Sequence, residues 1–163
     1  MNSKENNHGE MKKGNYSKFV GMLVASFIAM YITMYLNTYA IEHVYFSLTR
    51  FYMSCLGIAA MAIIMFVAMR NMYQNKKKNV AIVLGSIVLF VGALGLVRDQ
   101  KSTVGDVLWM KAMIPHHSIA ILTSERANIQ DPEVKKLAND IIKAQKKEIE
   151  EMKQMIDRLQ NQK

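Results

Sequence analysis

The chain has 163 residues, a formal net charge of +8 and a mean hydropathy of +0.04, an average over two unlike halves. Residues 1–97 hold nine Lys/Arg against three Asp/Glu, and residues 98–163 hold twelve against ten, so the basic excess belongs to the apolar half and bears on membrane topology. No basic patch interleaved with aromatics is present, which argues against nucleic acid as a partner, and the single cysteine, Cys55, allows neither an internal disulfide nor a zinc site built from cysteines.

Residues 1–18 read as a polar, basic and loosely ordered cytoplasmic leader. Three apolar runs follow, Phe19–Leu36, Phe51–Met69 and Val80–Val97, none with a charged residue. Each suits a membrane-crossing helix, which needs roughly 17–25 residues. The competing reading, three buried helices of a soluble core, leaves almost no polar face for water. Lys4, Lys12, Lys13 and Lys18 precede the first run, and Arg70, Lys76, Lys77 and Lys78 lie between the second and third. The loop between the first and second holds only Arg50 beside Glu42. Lysine and arginine collect on the cytoplasmic side. The expected topology is therefore amino terminus inside, residues 37–50 outside, 70–79 inside and 98–163 outside. Tyr31, Tyr35, Tyr39, Tyr45 and Tyr52 fall where an outer aromatic belt belongs. A signal peptide ending at Thr38-Tyr39-Ala40 is the alternative for the first run, but its apolar stretch exceeds the usual length of about 7–15 residues.

After a polar linker the sequence turns amphipathic. One helix is expected from about 103 to 127, capped by Ser102 or Thr103 and either kinked or restarted at Pro115. Asp131, Pro132 and Glu133 carry the chemistry of a second start, for a helix running to about 160. Spacings of four and three trace one seam through Val134, Ala138, Ile141, Gln145, Glu148, Met152, Met155 and Leu159. A matching seam runs through Met110, Met113, His117, Ala120, Ser124 and Ala127, with His116 at its edge. Folding the pair antiparallel sets, give or take a turn, His117 near Ile142–Gln145, Met113 near Glu148 and Met110 near Met152, all at the end close to the membrane.

Thioether with imidazole suits copper, above all Cu(I). Methionine in a helical seam is ordinarily core filler, and Met152 and Met155 alone read that way. Met110 and Met113 beside the adjacent His116 and His117 shift the balance toward a metal site. Glu148 on a seam needs a cation, a metal or a histidine, with Lys111 or another surface lysine as the ordinary partner. The stripe Met61, Met65, Met69 and Met72 and the pair Met30 and Met34 read as helix packing. Glu42 with His43 reads as an interfacial pair or a transfer site. Ser118 has no orienting acid nearby in sequence, which disfavours a hydrolase.

The pattern M-x-x-M-I-P-H-H-x-x-A-I followed by D-P-E-V-K-K-L-A-x-x-I-I-x-A-Q-x-x-E-I-x-x-M, over about residues 106–156, resembles the bacterial domain-of-unknown-function family numbered 305. The resemblance implies a ferritin-like, all-helical fold outside the cytoplasm and association with copper or silver. By it the metal positions are Met110, Met113, His116, His117, Gln145, Glu148 and Met152. The combined expectation is an all-α protein: a leader (1–18), a three-helix transmembrane region (19–97) and an extracytoplasmic metal-binding hairpin (98–163). The hairpin is completed to a four-helix bundle by a dimer or higher homo-oligomer. The setting is the bacterial cytoplasmic membrane. The expected function is binding of a soft metal, Cu(I) first and Ag(I) second, in metal homeostasis or tolerance, with the bilayer and a metal-handling protein as partners. Binding is favoured over turnover. The alternatives are a ferritin-type metal-dependent oxidoreductase and a structural or sensory module without metal.

Overall fold

A computed structural model describes residues 16–161, and every regular element in that range is helical. The order is α1 (Tyr16–Thr33), α2 (Leu48–Ala68), α3 (Lys76–Arg98), α4 (Asp106–Arg126) and α5 (Pro132–Asn161), with single 3₁₀ turns at Ile41–His43 and Arg70–Met72. Most of the expected leader lies outside the described residues. Residues 16–18 of it fall within α1. Tyr16 is held there by its hydroxyl, which donates to Asn79 Oδ1 at 2.7 Å, and by its ring against Tyr73.

The first three helices run up, down and up. Tyr16 meets the α2–α3 junction at one end of the bundle. At the other end Thr49 at the head of α2 donates to Gln100 just beyond α3, and Arg50 donates to the Met34 carbonyl beyond α1. The 34–47 loop and the α4–α5 hairpin therefore share one side, and the Arg70–Asn75 connection with its following lysines takes the other. Ser47 and Asn75 cap α2 and α3, accepting from the N–H groups of Arg50 and Lys78.

α1, α2 and α3 are each long and apolar enough to cross a membrane. Their outward faces stay bare: Val20, Val24, Ile28 and Ile32 on α1, Ile64 and Val67 on α2, Leu84, Val88 and Val91 on α3. Apolar faces of this extent require a non-aqueous surround, so the chain is membrane-associated. α2 is the central helix, packing on both neighbours. At the lysine-rich end Phe19, Phe66 and Tyr73 form a core to which Met65, Met69 and Met72 add their side chains, as packing methionines do.

α4 and α5 form the antiparallel hairpin, and Asp131 caps α5 by accepting from the N–H groups of Glu133 and Val134 at 2.9 and 3.0 Å. The expected cap of α4 differs. The helix starts after Gly105, with no side-chain cap from Ser102 or Thr103. Pro115 neither ends nor restarts it; α4 is one helix through that position.

The seam is also corrected. Ala138 and Met152 are buried and Gln145 and Leu159 half-buried, as expected. The alternate positions are Ile142, Ile149 and Ile156 rather than Ile141, Glu148 and Met155. Both sets fit four-three spacing, and the burial of Ile149 and Ile156, with the half-buried Ile142 packed against them, selects the isoleucine set. On α4 the buried positions are Met110, Ile114, Pro115, Ser118 and Ile121, while Met113, His117 and Ala120 lie at the flank and Ala127 is exposed.

Candidate metal centre

The hairpin core joins Met110, Ile114 and Ile121 of α4 to Ile149, Met152 and Ile156 of α5, with Met113, Ile142 and Leu159 packed against it. Tyr45 and Val107 pack on the same cluster, which places it beside the 34–47 loop at the head of the apolar helices. Three of the four methionines expected on the seams, Met110, Met113 and Met152, thus share one apolar core. The fourth, Met155, is 41% exposed and lies outside it.

His117 stands on α4 one turn beyond Met113 and two beyond Met110, so the three side chains share a face. Its side chain is only 16% exposed, and its Nδ1 lies 3.1 Å from Glu148 Oε2 on α5. The contact has ion-pair distance without hydrogen-bond alignment, and Nδ1 is buried with no hydrogen-bond partner. Burial holds the imidazole below the ordinary histidine range. Glu148 opposes that shift and His116 adds to it. The ring is therefore neutral near pH 7, and a neutral imidazole offers a lone pair. Glu148 is half-exposed, which relieves the desolvation cost expected for it, and its partner is His117 rather than Lys111.

The expected register was His117 beside Ile142–Gln145 and Met113 beside Glu148. The observed His117–Glu148 pair lies about one turn from that, within the turn of tolerance the antiparallel pairing carries. Met110 and Met152 do meet in one core. Gln145 is half-buried on the shared seam. His116 is exposed, its ring 6.3 Å from that of His117 between centroids. Among the described residues no group of three or more His, Cys, Asp or Glu is gathered as a metal site. Any metal held here draws on thioether donors beside the imidazole.

A second constellation was not legible as a unit. Ser118 is completely buried. Its Oγ accepts the Tyr39 N–H at 2.7 Å and lies 3.0 Å from His43 Nδ1. His43 is itself buried, with Nε2 3.7 Å from Glu42. Lys153 of α5 reaches both Glu42, at 3.7 Å, and Glu150, at 3.2 Å. Serine, histidine and carboxylate come together, but the hydroxyl has no exposed surface for a substrate. Their work is to clamp the 34–47 loop to the hairpin, one residue from His117. The sequence signal was a serine between buried isoleucines, matched with a histidine seventy-five residues away.

Residues 94–163 match a family described as a domain of unknown function, DUF305. An uncharacterized protein of Acanthamoeba polyphaga mimivirus is 35% identical over 153 residues, covering 90% of this chain and 97% of its own length. The chain belongs to the DUF305 family. No solved structure matches. The viral relative aligns over nearly the whole chain, so the likeness takes in the three apolar helices as well as the DUF305 hairpin.

Proposed function

We propose that this DUF305 protein captures a soft monovalent metal, Cu(I) before Ag(I), on a hairpin held at the membrane surface outside the cytoplasm. The observation that carries the reading is His117 Nδ1: buried, without a hydrogen bond, and on the same face as Met113 and Met110. A neutral ring in its Nε2–H form turns the Nδ1 lone pair toward a carboxylate 3.1 Å away, an arrangement that a cation relieves. Thioether and imidazole favour Cu(I) and Ag(I), while hard ions prefer oxygen. In this reading Met110, Met113 and His117 are ligands, Met152 and His116 further ligands, and Glu148 and Gln145 support. Homeostasis or tolerance is the corresponding role in a bacterial cytoplasmic membrane. A ferritin-type oxidoreductase centre draws on several carboxylates and histidines converging from different helices, a grouping that is not found among the described residues.

The test is metal analysis of the purified full-length protein with a competing Cu(I) chelator, on the parent and on His117→Ala. The parent is expected to hold Cu(I) against the chelator, and His117→Ala to lose most of it while staying helical. Equal retention by both removes the site. Failure of the parent to bind Cu(I), Ag(I) or Zn(II) leaves a structural or sensory module. Redox turnover of bound metal turns the reading toward the oxidoreductase. Orientation is tested by a reporter fused after Lys163, which is expected to work only if it needs the extracytoplasmic side.

A further inference from the structure

Arg50 sits in the first turn of α2, at the end of the bundle that carries the hairpin. Its guanidinium lies over the Tyr35 ring, 4.4 Å from the centroid, and donates through Nη1 to the Met34 carbonyl. A guanidinium carries five N–H donors. Among the described residues the side chain makes no other hydrogen bond and meets no carboxylate within ion-pair distance. It is a half-buried cation whose charge the protein leaves unneutralised.

Beside it runs an apolar groove of about 340 Å³ lined by Tyr31, Ile32, Tyr35, Val44, Tyr45 and Phe46. Tyr35 belongs to both features. Its ring carries the guanidinium and lines the groove, and its hydroxyl is fixed by Tyr31 at 3.2 Å and by the Ser47 N–H at 3.2 Å. The groove spans the last turn of α1 and the loop beyond it, where the apolar helices give way to the polar 34–47 segment. At that level of a membrane the abundant acceptors are phosphodiesters, and the abundant apolar chains are acyl chains. Arginine suits phosphate because its fork pairs two oxygens at once.

We propose that Arg50 and this groove hold one glycerophospholipid from the hairpin-side leaflet, its phosphodiester on the guanidinium and an acyl chain along Tyr31, Ile32, Val44 and Phe46. The proposal rests on the apolar helices lying in a membrane and is independent of metal binding. Charge complementarity selects the occupant. A wholly apolar partner leaves the guanidinium unneutralised, and a free anion leaves the groove empty.

The experiment is native mass spectrometry of the full-length protein in mild detergent with three probes. Dioleoylphosphatidylglycerol carries both parts of the ligand, dioleoylglycerol the chains alone, and glycerol 3-phosphate the phosphate alone. The phosphatidylglycerol adduct is expected to weaken about tenfold in Arg50→Gln, as loss of a charge-assisted pair implies, and less in Arg50→Lys. Dioleoylglycerol is expected to be insensitive to Arg50, and glycerol 3-phosphate not to compete. Val44→Trp, which fills the groove and leaves Arg50 in place, is expected to reduce the phosphatidylglycerol adduct. Phosphatidylglycerol binding unchanged in Arg50→Gln overturns the proposal, as does competition by glycerol 3-phosphate at equal concentration, which makes the site one for free anions. Should Arg50→Gln lose its helicity by circular dichroism, Val44→Trp decides alone, and parental binding by that variant is the overturning result.

Discussion

His43 is buried and His117 half-buried, each facing a glutamate, yet their surroundings differ. His117 lies beside a carboxylate it does not hydrogen-bond, on the helix face that carries Met110 and Met113, whereas His43 is engaged by Ser118. Replacing Met110 and Met113 together with leucine separates ligand from filler, since the volumes are close and the substitution costs less than about 1.5 kcal/mol each as packing. Cu(I) retention against a chelator is expected to fall at least about tenfold with the melting temperature nearly kept, consistent with loss of thioether donors; unchanged retention makes both methionines core. Met152→Leu is expected to have the smaller effect. At His43 the sign of pH dependence follows from burial, which lowers its proton affinity, aided by Lys153 and opposed by Glu42 and Glu150. Lys146 lines the same small cavity. With the native value depressed, the clamp has full strength above the ordinary histidine value of about 6.5 and weakens as pH falls below it, because the released ring takes the proton first. Exchange of the Tyr39 amide, corrected for its intrinsic rate, is expected to speed up between about pH 7.5 and 5.5, a range that brackets that titration. His43→Gln is expected to flatten the profile, and a flat profile in the parent refutes the assignment.

At the scale of elements, the three apolar helices, the cap at Asp131 and the existence of the hairpin were legible because each rests on a local rule: run length, capping chemistry, period. The seam was half legible. Every seventh residue, Ala138, Met152 and their half-buried companions Gln145 and Leu159, belongs to both candidate stripes, so periodicity alone left the alternate positions undetermined. Ile149 and Ile156, which are buried, decide two of them over Glu148 and Met155, while Ile141 and Ile142 are alike in side chain and both half-buried. The Ser118–His43 clamp was beyond reach because no period links a loop between membrane helices to a helix seventy-five residues later. The corrected seam makes a paired prediction. Ile149 is 1% exposed and Met155 is 41% exposed. Ile149→Ala is expected to destabilise the hairpin by about 2–5 kcal/mol. Met155→Ala is expected to stay within about 1 kcal/mol, as surface changes do. Chemical unfolding of the full-length protein, followed by Trp109 fluorescence, measures both, and equal losses would restore the original seam.

For the whole molecule, the decisive fact is that a two-helix unit has one inner face and α5 has two apolar stripes. The inner stripe is used by the hairpin core. The outer one includes Val134 and Leu137, which are exposed, and Ile141, which is half-buried, with Met155 further along. Trp109 on α4 is also exposed. Val134 and Leu137 sit beside the α4–α5 turn, and Trp109 and Met155 toward the opposite end of the hairpin. A two-helix unit also buries too small a share of its surface to be comfortably stable alone. A second copy of the chain would present the same stripe, and a twofold pairing of two hairpins would complete a four-helix bundle. Such a pairing would leave the Met110–His117 face within each hairpin, so assembly and the proposed metal capture would be separable. Light scattering of the full-length protein in mild detergent is expected to give a dimer or a higher even assembly. Val134→Lys with Leu137→Lys places two charges on the outer stripe without touching the inner seam. That variant is expected to shift the population to monomer, to keep its helical content and to retain Cu(I) binding. A parent that is monomeric across the working concentration range, with the hairpin fully helical, shows instead that the stripe at Val134 and Leu137 stays open or serves a different partner.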